Sequence, residues 1–157
     1  MTDSAPIDDS AALTRHIEAR YHRRHREQLP DLAALSARVE TVHAGDPSAP
    51  AGLATLLEKL IGELEVHMKK EELILFPAIR RGSAAVREPI AAMRADHDDH
   101  TAGIAEIRRL TAALTLPKGA CRTWTALYEG LGSFVADLEE HIRLENDVLF
   151  PRFEGVA

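Results

Sequence analysis

Two segments of this chain, HMKKEELILFP at residues 67–77 and HIRLENDVLFP at residues 141–151, put His, Glu and Leu-Phe-Pro at identical offsets, 74 residues apart. Both continue an apolar stripe of helical period. Steps of three and four lead through Leu53, Leu57, Leu60, Leu64, His67, Glu71 and Ile74 in one, and through Leu127, Leu131, Phe134, Leu138, His141, Glu145 and Val148 in the other. Residues so spaced share one face of a helix, so His and Glu take inward positions where Leu belongs. An ionised carboxylate buried without a partner is unfavourable enough to take up a proton instead. A chain that repeats the arrangement needs positive charge in its interior.

Two further stripes carry ligand-type residues. One runs through Ile90, Met93, His97, His100, Ile104, Ile107, Thr111 and Leu114; the other runs through His22, His25, Leu29 and Leu32, with Val39 beyond. His22 and His25 precede His97 and His100 by 75 residues in the same H-x-x-H pattern. Each half therefore reads as a helical hairpin with H-x-x-H on its first helix and H-x-x-x-E on its second. Two such hairpins related by a pseudo-twofold axis would bring four His and two Glu to one level, as a dinuclear metal site. Residues four apart lie about 6 Å apart along a helix, on one face, so a His can bind one metal while the Glu a turn later reaches between two. Two divalent ions bring more charge than two carboxylates cancel, and a bridging oxide or hydroxide would neutralise most of the remainder.

Outside that set the readings divide. His25 and His100 read as hydrogen-bonded core histidines or as additional ligands. Glu63 and Asp137, each four residues before a seam His, read as acceptors for the free ring N–H of His67 and His141 or as solvated acids. Asp96 points about 100° away from its neighbour His97 and adds less. Trp124 and Tyr128 are spaced as a packed pair.

The architecture follows from punctuation. Strand alternation is absent, and GDPSAPAG at 45–52, GSAAVREP at 82–89 and LPKG at 116–119 leave helical segments over 9–43, 51–80, 88–114 and 119–152. Short links between long helices imply antiparallel neighbours, hence an all-α, up-down-up-down four-helix bundle over residues 9–153, with an arm at 1–8 and a tail at 154–157. Pro30 predicts a kink or a brief break in the first helix. At 157 residues the chain suits one domain with a sizeable core. It has no eighteen-residue apolar run and no leader pattern, so a soluble, cytoplasmic protein away from membranes is expected. A net charge of −6 argues against nucleic acid, and the basic run RYHRRHR at 20–26 reads as a solvated helix face. With one cysteine, Cys121, any metal must be held by nitrogen and oxygen.

These residues resemble a hemerythrin-like HHE domain, and more closely the di-iron domain of the iron–sulfur cluster repair (RIC) family. The resemblance is carried by RYHRRHREQLP, VETVHAGDPSAPAGL, HMKKEELILFP, PIAAMRADHDDH, ACRTWTALYEGL and DLEEHIRLENDVLFPR, in order from about residue 8 to residue 153. It implies a non-haem di-iron centre, oxo- or hydroxo-bridged, with His22, His67, His97 and His141 as terminal ligands and Glu71 and Glu145 as bridges. Hemerythrin uses a further His one turn beyond its third-helix ligand; Thr101 stands there in this chain, which implies coordination space for a small diatomic molecule. The family's N-terminal paired-cysteine domain is expected to be missing, because Cys121 belongs to the bundle's own ACRTW stretch.

The resemblance implies a role in nitrosative and oxidative stress, by donating iron to damaged iron–sulfur proteins or by reacting with nitric oxide. Oxygen binding or sensing in the manner of hemerythrin, and a structural metal bundle, are the alternatives. Iron rests on the resemblance, since nitrogen and carboxylate ligands suit iron, manganese or zinc alike.

Overall fold

The computed structural model describes residues 4–155. Helices α1 (Ser10–Ile17), α2 (Arg23–Val42), α3 (Leu53–Lys70), α4 (Phe76–Arg80), α5 (Arg87–Leu110), α6 (Arg122–Arg143) and α7 (Pro151–Glu154) account for most of the described residues, among which there is no strand. Wide π-helical turns at Glu18–His22, Glu71–Leu75 and Leu144–Leu149 join α1 to α2, α3 to α4 and α6 to α7 without leaving helical backbone. The result is four rods. α2 packs on α3 and α6, and α5 packs on α3 and α6, which closes a four-helix bundle. None of the described helices is long and apolar enough to cross a membrane.

Local chemistry sets the rod ends. Asp9 caps α1 by accepting from the Ala12 N–H at 3.1 Å. Gly52, at φ +94°, precedes α3 without offering a side-chain cap. Glu40 supplies one from the end of α2: its carboxylate accepts from the backbone N–H of Gly52 at 2.6 Å and of Ala54 at 2.9 Å. A single carboxylate thus ties two consecutive rods together and satisfies helix donors that would otherwise lack partners. At the N-terminus Ala5 packs against the core, and Arg152 donates to the Ile7 carbonyl and, at 3.0 Å, to Ser10 Oγ. Met1–Asp3 of the expected arm and residues 156 and 157 of the tail lie outside the described residues.

Three expectations are corrected: a break at Pro30, the stripe positions after the seam Glu, and the end of the third helix. α2 runs unbroken through Pro30, whose ring lies on the solvent side; the carbonyl freed by the missing N–H is then within reach of water. The stripes of the second and fourth rods slip after the seam Glu. Ile74 is 59 % exposed while Leu75 is 1 % exposed, and Val148 is half-buried while Leu149 is fully buried. In each turn the N–H of Phe76 or Phe150 bonds a carbonyl five residues back, Glu71 or Glu145. That bond adds one residue to the turn and rotates everything after it. Pro77 and Pro151 follow at once; with no N–H to give and a ring that crowds the carbonyl four residues back, proline favours a widened turn before it.

The third helix also ends early, at Leu110 rather than 114. Ala112, Ala113 and Leu114 all sit in the left-handed region, at φ 50°, 57° and 60°. Thr111 Oγ1 accepts from the Leu114 N–H at 3.0 Å and helps hold that turn.

Two apolar clusters fill the bundle. One contains Leu29, Leu57, Leu64, Leu131, Phe134 and Leu138; the other contains Ile17, Leu75, Phe76, Met93, Leu144 and Phe150. Trp124 and Tyr128 pack edge to face within the first, with ring centroids 6.3 Å apart. Between the clusters lies a polar layer.

Candidate metal centre

That layer contains His22, His67, Glu71, His97, His141 and Glu145, each buried to within 1 % of full enclosure. The π turns lie at its level: His22 ends the first, Glu71 opens the second and Glu145 sits in the third. The six side chains form two overlapping groups. His22, Glu71, His141 and Glu145 offer ligand atoms within 4.8 Å of one another, and so do His67, Glu71, His97 and Glu145. Both carboxylates are shared. Each group takes one imidazole from each half of the chain, as a twofold axis passing between two cation positions requires.

Glu145 divides its oxygens between the groups: Oε2 is 3.0 Å from His141 Nε2 and Oε1 is 2.8 Å from His97 Nε2. Glu71 Oε1 is 3.0 Å from His22 Nε2 and 3.4 Å from His67 Nε2. His67 Nε2, His97 Nε2, Glu71 Oε2 and Glu145 Oε1 are buried without a hydrogen-bond partner. Each such atom costs about 1–3 kcal/mol in a folded interior. Cations at the two positions would satisfy all of them, and a nitrogen and carboxylate set without sulfur fits iron, manganese or zinc.

The second ring nitrogen of each imidazole is held from the next rod. Nδ1 of His22 lies 2.8 Å from Glu72 Oε2, Nδ1 of His67 lies 3.0 Å from Asp96 Oδ2, and Nδ1 of His97 lies 2.7 Å from Asn146 Oδ1. Nδ1 of His141 lies 3.1 Å from Nε2 of His25 on the first rod and closes the circuit. Such contacts set the ring orientation and tautomer of a metal-binding His. Two sequence candidates for this role do not fill it. Glu63 pairs with Lys59 at 3.6 Å, and Asp137 accepts from Arg20 at 3.2 Å and Arg24 at 3.0 Å. An inward-facing imidazole points its Nδ1 across a rod interface, so a carboxylate one turn back on its own rod is outcompeted by a polar group on the neighbour, Asp96 for His67 and His25 for His141.

Asp96, the weaker candidate, is the carboxylate that His67 reaches. Glu72 and Asn146 were missed altogether, although they stand 74 residues apart beside the two seam Glu, a registered polar pair that could have been noticed. His25 and His100 are both buried but outside the two groups. His25 backs His141, and His100 sets its ring edge-on to His67 with centroids 4.9 Å apart.

Charge separates the two kinds of histidine. Burial alone would lower His22, but hydrogen bonds to Glu71 and Glu72 outweigh it and raise its pKa to about 9. His67 likewise reaches about 9 against its burial, through the charge of Glu71. Burial would raise Glu71, but the charge of His67, the nearby His141 at 3.8 Å and the hydrogen bond to His22 at 3.0 Å hold it well below the usual carboxylate range. His25 falls to about 2 and His100 to about 3, each by burial and then by the neighbouring His141 or His67. Burial thus keeps His25 and His100 neutral, while neighbouring carboxylates favour the charged forms of His22 and His67.

A four-helix bundle with shared carboxylates and two imidazoles at each of two interior positions defines a cation-binding domain. Residues 13–153 match the hemerythrin HHE cation binding domain, and the chain belongs to that family. It is 49 % identical over 141 residues to the iron-sulfur cluster repair protein YtfE of Yersinia pseudotuberculosis, and equally to that of Yersinia pestis. The match covers 89 % of this chain and 64 % of those proteins, so the chain spans less than two thirds of their length.

Proposed function

We propose that the bundle holds two iron ions and acts in the repair of iron–sulfur clusters during nitrosative and oxidative stress, in the cytoplasm. The observation that carries the reading is the pair of overlapping groups that share Glu71 and Glu145. The names of the relatives support the repair role.

In this reading His22 and His141 would hold one ion and His67 and His97 the other, with Glu71 and Glu145 available to both. A pair of ferrous ions held by these residues would supply one electron each toward a small diatomic molecule such as nitric oxide or dioxygen. The protein's part is positional. Glu72, Asp96, Asn146 and His25 orient the imidazoles, and the apolar clusters above and below keep bulk water from the layer. Thr101 is exposed on α5, away from the layer, so no additional nitrogen comes from that point. Iron donation to client iron–sulfur proteins and reaction with nitric oxide both use this geometry.

Mössbauer spectroscopy of protein made in iron-replete cells, before and after nitric oxide, tests the proposal. Two coupled irons per chain that change on exposure to the gas are expected. Two zinc ions per chain with no redox response would overturn it in favour of a structural bundle.

A further inference from the structure

The two cation positions differ in how their imidazoles are partnered. We infer that the position framed by His67 and His97 holds its ion more tightly, and that the position framed by His22 and His141 exchanges first. This rests on the two-ion reading above.

The first ground lies at Nδ1. Glu72, Asp96 and Asn146 present oxygens, which only accept, so Nδ1 of His22, His67 and His97 carries a proton and Nε2 is the atom left to meet a cation. His141 is the exception. Its Nδ1 faces Nε2 of His25, and an imidazole nitrogen donates or accepts according to its tautomer. With His25 as donor, His141 holds its proton on Nε2 and cannot bind. His25 is fully buried and its own Nδ1 has no partner, so nothing on its far side selects the tautomer that His141 needs.

The second ground lies at Nε2. His22 bonds Glu71 Oε1 at 3.0 Å and His141 bonds Glu145 Oε2 at 3.0 Å. The Nε2 atoms of His67 and His97 make no hydrogen bond, although Glu71 Oε1 and Glu145 Oε1 are 3.4 and 2.8 Å away; both oxygens lie off the line an N–H bond needs. A cation entering between His22 and His141 displaces two hydrogen bonds. One entering between His67 and His97 displaces none and relieves two orphaned nitrogens.

The test is Co(II) titration of the metal-free full chain, followed by cobalt absorption and by the shifted imidazole N–H resonances. Two steps separated by about tenfold or more are expected, the scale on which the outer partner of a metal-bound His acts. His141→Ala should remove the weaker step and His97→Ala the tighter one. His25→Glu, which supplies an obligate acceptor, should tighten the weaker step about tenfold and leave the other in place. If His25→Glu does not fold by circular dichroism, the two ligand variants decide alone. Equal steps, or a tighter step lost in His141→Ala, overturn the inference but leave the two-ion reading standing. Uptake of a single ion or none overturns both.

Discussion

Glu72 stands between Arg26 and His22. One of its oxygens is 2.8 Å from His22 Nδ1, and both are held by the Arg26 guanidinium at 2.7 and 2.9 Å. A half-buried ion pair at the surface is thereby connected to an imidazole in the buried layer. Glu72→Gln keeps an acceptor in place but removes the charge. Metal affinity should fall by about tenfold, with helical content unchanged, read by competition with a chromophoric chelator.

Glu71→Ala and Glu145→Ala should each lose bound metal, by elemental analysis. The metal-free Glu71→Ala variant should also unfold at lower urea than the metal-free wild type, because it leaves His22 and His67 buried without the carboxylate that holds them charged. A urea midpoint equal to that of the metal-free wild type would contradict this pairing.

The metal-free and loaded proteins should respond oppositely to pH. His22 and His67 are raised from 6.5 to about 9 in the fold, so their stabilisation is full below 6.5 and is lost as pH climbs toward 9. Glu71 is depressed, so its contribution is present above 4.5 and is lost on acidification below that. His25 and His100, lowered to about 2 and about 3, stay neutral in the fold but take up protons on unfolding below 6.5, so the urea midpoint of the metal-free bundle should peak near 6.5 and decline both toward 9 and on acidification. The loaded protein should gain stability over the same rise, because protons no longer compete for the imidazoles.

Ala113→Gly should stabilise the bundle by about 1 kcal/mol, because a left-handed backbone costs an L-residue that much and glycine nothing. Thermal unfolding measures it, and a neutral or destabilising result would mean that the turn is not strained.

His22→Leu should leave a folded bundle that retains iron poorly, since an apolar side chain of similar size replaces a buried imidazole. Iron content and circular dichroism together check the outcome.

The amino-acid sequence by itself determined the four rods and the inward placing of six His and Glu side chains. Both follow from spacing along a single helix, where residues three and four apart share a face whatever packs against it. Only the tertiary structure decided which group backs each imidazole, because Asp96 rather than Glu63 reaches His67 through the rotation and offset of two neighbouring rods. Likewise Leu75 replaced Ile74 in the core through a π turn that an apolar pattern of constant period does not register. The turn at Ala112–Leu114 has no glycine to announce it; it is held by the rods on either side, whose packing offsets the local strain.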